Sequence, residues 1–258
     1  TSEESFLTWG WRIPFLISFV LVIISMYIQL RLEDTKAFKE LEAAKSSQDS
    51  TKQEIKSSPI LEALRRYPRR ISLAAGAFLS IQVTFYILVA FILAYGVATT
   101  DLSRNDLLAA VLIGSAIMVP LQFYFSHYSD KNGRKGIFMA GAFLTALWSF
   151  FLFPLIDTGN FYLVILAVTG GLAFLGMMYG PQAAFFAELF STEVRYSGAS
   201  LGYQIGAILG GSFAPTIATL LWTSYDIFWV SVYIALASAA SLFSVYFLTE
   251  TYKTDLNK

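Results

Sequence analysis

Phe161-Tyr-Leu-Val-Ile-Leu-Ala-Val-Thr-Gly-Gly-Leu-Ala-Phe-Leu-Gly-Met-Met-Tyr-Gly180 contains no charged side chain. A helix of about 20 apolar residues crosses the hydrocarbon core of a bilayer, where unpaired backbone groups are so costly that only helices and closed barrels span it. Runs of the same kind lie at 13–30, 71–98, 107–125, 136–156, 198–221 and 227–248. Barrel strands would instead alternate polar and apolar residues over about 10 positions, and none of these runs does. The predicted fold is therefore an all-α membrane protein of seven spans. A composition of 56% hydrophobic and 14% charged residues, above and below the usual globular values, points the same way.

Charge tests that division. If the spans are placed correctly, Lys and Arg should collect on alternate connections, the cytoplasmic ones. Sixteen of the basic residues fall on one side: Arg31, Lys36, Lys39, Lys45, Lys52, Lys56, Arg65, Arg66, Arg69, Arg70, Lys131, Arg134, Lys135, Arg195, Lys253 and Lys258. Only Arg12 and Arg104 fall on the other. The alternation predicts the amino end outside, the carboxy end inside, and a multi-pass protein of the cytoplasmic membrane with the lipid bilayer as its first partner.

The connections divide the chain further. Asp157-Thr-Gly-Asn160 and Thr223-Ser-Tyr-Asp226 are tight turns that imply antiparallel neighbours, whereas 31–70 is long. Within it, Glu42-Ala-Ala-Lys-Ser-Ser-Gln-Asp-Ser-Thr-Lys-Gln53 has no apolar face and reads as a linker. Ser58-Pro59 followed by Ile60, Leu61 and Leu64 predicts a capped amphipathic helix at the membrane surface. Its basic end, Arg65-Arg-Tyr-Pro-Arg-Arg70, is either an ordinary cytoplasmic flank or a contact for anionic head groups.

Several function classes are set aside by composition. A net charge of +0 gives no electrostatic basis for nucleic-acid binding. The absence of Cys excludes disulfides, thiolate metal sites and cysteine nucleophiles. There is no Ser/His/Asp arrangement, no paired metal ligands and no phosphate-cradling glycine loop, so neither an enzyme nor a cofactor or metal is expected. His127 is the sole histidine and reads as an interfacial structural residue.

Leu32-Glu33-Asp34-Thr35 after the first span is echoed by Leu248-Thr249-Glu250-Thr251 after the last, six spans later. Between the third and fourth spans stands Asp130-Lys-Asn-Gly133-Arg134-Lys135, where Gly133 permits a sharp turn and Arg134 and Lys135 can anchor to carboxylates or carbonyls. This D-x-x-G-R-K loop resembles the loop motif of the major facilitator superfamily, which follows the second and eighth helices of its twelve-helix members. It departs from that motif at Ser126, where the family has Gly. Trp9-Gly-Trp-Arg-Ile-Pro-Phe-Leu16, Gly180-Pro-Gln-Ala-Ala-Phe-Phe-Ala-Glu-Leu-Phe190 and Thr192-Glu-Val-Arg-Tyr-Ser-Gly-Ala-Ser-Leu-Gly202 resemble the metabolite:proton symporter family within it. Its members carry shikimate, α-ketoglutarate, citrate, proline or betaine.

The resemblance implies a proton-coupled secondary transporter of a small organic acid or zwitterionic metabolite. Counting the third span as the eighth helix makes this chain helices six to twelve. Residues 1–30 then end an amino-terminal half, 31–70 form the linker, and 71–258 form the carboxy-terminal six-helix half. The start at Thr1-Ser2-Glu3-Glu4 is likewise read as that of a fragment. An inactive truncated or split half, and a channel or scaffold built on the same bundle, remain the rival readings; the first would need the missing amino-terminal half as partner.

Candidate site residues follow from depth and spacing. Apart from Glu188 near a cytoplasmic end, the spans hold no charge at membrane depth, so the coupling acid is expected on other helices. Neutral groups suited to a hydroxyl or carboxylate substrate are Gln82 and Tyr86, one turn apart, together with Tyr179, Gln182, Tyr203 and Gln204. Thr84, Tyr95 and Gln122 are lesser candidates of the same kind. Interhelical bonding is the alternative role for each. Asp130, Gly133, Arg134, Glu188 and Arg195, with Glu193, form a candidate cytoplasmic gate; the bland alternative is a set of solvated loop charges. Gly198, Gly202, Gly206 and Gly210 fall every fourth residue and make a bare face for close helix packing or for sliding. Of the prolines at 120, 154, 181 and 215, the Gly180-Pro181 pair is the expected helix break, beside a cavity or as a packing kink.

Overall fold

The computed structural model describes residues 3–31, 59–192 and 194–252. The linker stretch 42–53, the first copy of the echo, Ser58 and Glu193 lie outside the described residues. The chain forms two compact units, one within residues 1–52 and one within 53–258.

The first unit contains α1 (Glu3–Thr8), a short 3-10 turn at Gly10–Arg12, and α2 (Ile13–Arg31). α2 is apolar on every side and buries none of its residues, the pattern of a helix made for lipid or for other helices. Its ends carry amphipathic anchors, with Arg12 over the ring of Trp11 at 4.5 Å and Arg31 over Tyr27 at 5.5 Å.

The second unit opens with the amphipathic α3 (Pro59–Arg66), which buries Ala63. Six membrane-length segments follow: α4 (Pro68–Tyr86) with α5 (Ile92–Thr99), α6 (Arg104–Asn132), α7 (Arg134–Asp157), α8 (Phe161–Glu188), α9 (Arg195–Ala207) with α10 (Ala214–Ser224), and α11 (Ile227–Phe247). With α2 this makes, among the described residues, seven helices long and apolar enough to cross a membrane. Each overlaps a span expected from the sequence. α6 and α8 run on seven and eight residues past the expected ends, to Asn132 and Glu188.

Helix starts have local causes. Ser103 and Asp106 form a reciprocal capping box at α6, with Ser103 N–H donating to Asp106 at 2.9 Å and Asp106 N–H to Ser103 Oγ at 3.2 Å. Asn160 and Asp226 cap α8 and α11 by accepting from Tyr162 N–H and Ile227 N–H at 2.9 and 2.6 Å. Gly133 turns the chain between α6 and α7 at a φ of 106°, a conformation open to glycine.

α8 packs between α6 and α7, and α4 between α9 and α11. Small polar residues hold the second set: Ser80 and Ser238 hydroxyls are 2.8 Å apart, and Ser241 Oγ donates to the Gly76 carbonyl at 2.9 Å. Such bonds suit a bundle whose surroundings offer no hydrophobic drive. The Gly expected at position 126 is supplied from across the interface, since a Cβ on Gly180 would lie 2.8 Å from the Gln122 carbonyl oxygen and 3.2 Å from Ser126 N. Close approach is thus achieved by the opposite helix.

The expected break at Gly180-Pro181 does not occur, for α8 continues through Pro181 to Glu188. One missing proline donor is a single lost rung, and the tight α6 contact at Gly180 holds the helix on either side. The irregularities are π-helical turns at Ile87–Phe91 and Ile208–Ser212. The second directly precedes the α10 proline, Pro215, and contains Gly210 and Gly211, which allow the widened turn to sit against α4. π turns of this kind gather at functional sites.

Candidate functional site

Two arrangements carry chemistry. The first is a cavity of about 300 Å³ between α8 and α9, lined by Tyr179, Gln182, Ala183 and Phe186 from one and Ala199, Ser200, Tyr203 and Gln204 from the other. Gln182 is buried, whereas Tyr179 and Tyr203 are 42% and 37% exposed. The two phenols are electrostatic neighbours, with Tyr86 also in range of Tyr203. The Tyr203 ring lies 4.3 Å from that of Phe78, which fixes its direction. Two amides, two phenols and the Ser200 hydroxyl offer donors and acceptors with no net charge, a set that matches hydroxyls and carboxylates.

Four of the six sequence-selected lining residues therefore come together. Gln82 and Tyr86 do not line this cavity; they face the π turn, where a Cβ on Gly210 would meet Gln82 at 3.1 Å and one on Gly211 would meet Tyr86 at 2.7 Å. Tyr95 is buried elsewhere, its hydroxyl donating to Asp157 at 2.6 Å among Phe91, Phe153 and Trp222.

The second arrangement is an ion-pair cluster at the end of the bundle where α6 meets α7. Arg134, 8% exposed, donates Nε and Nη2 to the two oxygens of Glu188, each at 2.7 Å, and Nη1 to Asp130 at 2.8 Å. Planar two-point pairing is the strongest form of this contact. Thr251 Oγ1 donates to Glu188 at 2.6 Å. Glu250 accepts from the backbone N–H groups of Arg134 at 3.0 Å and Lys135 at 3.1 Å, so a carboxylate from beyond α11 caps the start of α7. Lys135 Nζ returns the bond, donating to the Tyr246 and Leu248 carbonyls at 2.7 and 3.0 Å where α11 ends.

Asp130, Gly133, Arg134 and Glu188 are thus in one cluster, while Arg195 stands apart. Its guanidinium donates to the Phe190 carbonyl at 3.4 Å and to Thr192 Oγ1 at 3.3 Å. Glu250 and Thr251 were not singled out as cluster members from sequence, whereas Lys135 meets carbonyls of the kind expected for it. The echo after the last span marks Glu250 and Thr251, but nothing in it says that they fold back on the loop. A Cβ at Gly133 would lie 2.8 Å from Glu250 Oε2, on top of its left-handed φ. Gly133→Ala is expected to cost about 1–3 kcal/mol, read as a lower unfolding midpoint in mixed micelles.

The glycine face is occupied as well. A Cβ on Gly202 would meet Ala74 at 2.7 Å, one on Gly206 the Ala75 carbonyl and Phe78 at 2.7 Å, and one on Gly210 the Leu79 carbonyl at 3.1 Å, all on α4. Gly198 faces the Phe190 ring instead. His127 is exposed on α6.

Residues 5–201 match the family model of the Major Facilitator Superfamily. The chain belongs to the major facilitator superfamily. It is 33% identical to the inner membrane metabolite transport protein YhjE of Escherichia coli (strain K12), over 97% of this chain and 56% of that protein. It is 34% identical to the shikimate transporter of the same strain, over 92% of this chain and 53% of the relative. With the glycine betaine/proline/ectoine/pipecolic acid transporter OusA of Dickeya dadantii (strain 3937) it shares 25% identity, over 96% and 50%. The chain spans about half the length of the curated relatives it matches. These relatives are named as transport proteins.

Proposed function

We propose that this chain forms the sixth to twelfth helices of a proton-coupled symporter that carries a small organic acid or zwitterionic metabolite across the cytoplasmic membrane. In this reading α2 ends the amino-terminal half, residues 31–70 link the halves on the cytoplasmic side, and 71–258 form the second half. The observation that carries it is the neutral cavity formed by Tyr179, Gln182, Tyr203 and Gln204. Its partly exposed phenols leave one side of the substrate for residues of another half. The metabolite, shikimate and betaine named for the relatives supply the substrate class.

The charges fit the same division. Among the described residues every charged side chain lies in the first or last turn of a span or outside it. A coupling carboxylate at mid-depth, which proton transport requires, is therefore assigned to the helices that complete the carrier. Asp130, Arg134 and Glu188 serve as the inward gate, a buried lock whose closure favours one of two states and whose opening favours the other. Arg195 supports the gate indirectly by holding the 190–192 turn next to Glu188.

Variants of the complete carrier test the cavity. Gln182→Ala is expected to raise the KM for the transported metabolite about fivefold, the worth of one net hydrogen bond. Gln122→Ala, outside the cavity, should leave it unchanged. A Gln182→Ala carrier with unaltered KM for shikimate, a dicarboxylate and betaine alike contradicts the assignment. Asp130→Arg, which sets a second cation beside Arg134, is expected to abolish uptake; unchanged uptake removes the gate role.

A further inference from the structure

Two arginines at the start of α4 belong neither to the ion-pair cluster nor to the neutral cavity. Arg69 and Arg70 line a separate cavity of about 190 Å³ whose other walls include Leu73, Leu189, Phe247 and Thr249. Arg70 donates Nη1 to the Leu189 carbonyl at 2.5 Å and lies 5.2 Å over the Tyr67 ring. Among the described residues Arg69 has no hydrogen-bond or ion-pair partner. Among the described residues no acid lines the cavity, so two arginines line it without a described carboxylate beside them.

The walls are chemically divided. Arg69, Arg70 and Thr249 are polar, whereas Leu73, Leu189 and Phe247 are apolar. Phe247 also stacks edge-on with Phe243, one turn further into α11, at 4.8 Å, and both rings are exposed, 44% and 65%. An apolar track thus leads from the basic cavity along the outside of a membrane-spanning helix. Basic pockets at the ends of spanning helices suit phosphate head groups, and guanidinium offers them two-point hydrogen bonds.

We propose that this cavity binds the head group of an anionic phospholipid, its phosphate between Arg69 and Arg70 and an acyl chain along Phe247 and Phe243. Inorganic phosphate would engage the arginines and leave the aromatic track bare, which is why the lipid is the occupant. The site adjoins the ion-pair cluster through the chain itself, since Arg70 holds the carbonyl of the residue that follows Glu188.

The test is native mass spectrometry of the chain in detergent micelles containing phosphatidylglycerol, phosphatidylcholine or inorganic phosphate alone. Phosphatidylglycerol should be retained in preference to phosphatidylcholine. Arg69→Gln should weaken that retention about fivefold, the effect of removing one basic side chain at an anionic surface. Arg69→Gln/Arg70→Gln should weaken it about thirtyfold. Because Arg69 has no bond to lose among the described residues, its single variant, with the unfolding midpoint read alongside, separates lipid binding from unfolding. Arg65→Gln, outside the cavity, should leave retention unchanged. Equal retention of the two lipids, indifference to Arg69→Gln, an equal loss in Arg65→Gln, or displacement of phosphatidylglycerol by millimolar inorganic phosphate would each overturn the proposal.

Discussion

Arg134→Leu is expected to lower the stability of the bundle by about 3–5 kcal/mol, the cost of leaving the other member of a buried ion pair unpaired. The Arg134 and Glu188 side chains are only 10% and 11% exposed. Without the guanidinium, Glu188 keeps one described hydrogen bond, from Thr251, too little to offset the desolvation of a carboxylate. Asp130 is 54% exposed and can return to water, so Asp130→Asn should cost far less, within about 1 kcal/mol. Arg134→Leu/Glu188→Leu removes both charges and should recover much of the loss. Unfolding in mixed micelles of dodecyl sulfate and a mild detergent reads all four proteins. A double variant as unstable as Arg134→Leu would show that shape, not charge pairing, dominates at this site.

Gly206→Leu is the second large effect. A Cβ at Gly206 already lies 2.7 Å from both the Ala75 carbonyl oxygen and Phe78 Cβ, and the former is backbone that cannot swing aside. Van der Waals contact between helices is the main attraction in lipid. Separating α9 from α4 therefore removes the force that joins them. Gly206→Ala should cost about 1–3 kcal/mol, and Gly206→Leu more, with loss of the Tyr203–Phe78 ring contact that orients one wall of the cavity. Gly136→Ala is the counterpart: nothing lies within 4 Å of its Cβ position in α7. That change should be neutral or stabilise by up to about 1 kcal/mol through helix propensity. Melting curves in detergent that fail to separate the two alanine variants would contradict the packing account.

Charge placement made the bundle legible before any coordinates. Lys and Arg avoid one side because of the membrane, not because of any particular contact, so their alternation reports span number without knowledge of packing. The ends were less legible: α6 and α8 continue to Asn132 and Glu188, where Asp130 and Glu188 meet Arg134, a partnership that hydropathy does not see. Depth singled out Glu188, and the tight loop singled out Arg134. Glu250 was marked only by the echo after the last span, since a cap supplied from 116 residues away depends on where α11 ends in space. The π turns were illegible for a related reason. Gly180-Pro181 has the stronger local breaking signal, yet that helix runs on unbroken against α6, while Gly210 and Gly211 admit the irregular turn against Gln82 and Tyr86. Of the substrate-lining candidates, Tyr179, Gln182, Tyr203 and Gln204 share the walls of one cavity, while Gln82 and Tyr86 meet the π turn.

The bundle offers a neutral cavity, a buried ion-pair cluster at one end and no charge at mid-depth among its described residues. On the function proposed above they would form one side of a carrier, with the proton-linked chemistry on the other. The decisive measurement is uptake by liposomes that hold chain 1–258 alone, or together with an amino-terminal five-helix partner from a related full-length carrier, under an imposed proton gradient. With shikimate, a dicarboxylate and betaine as substrates, the predicted result is no uptake by the chain alone and gradient-dependent uptake of one substrate class when the partner is present. Uptake by the chain alone, or co-reconstituted uptake indifferent to the gradient, would contradict it.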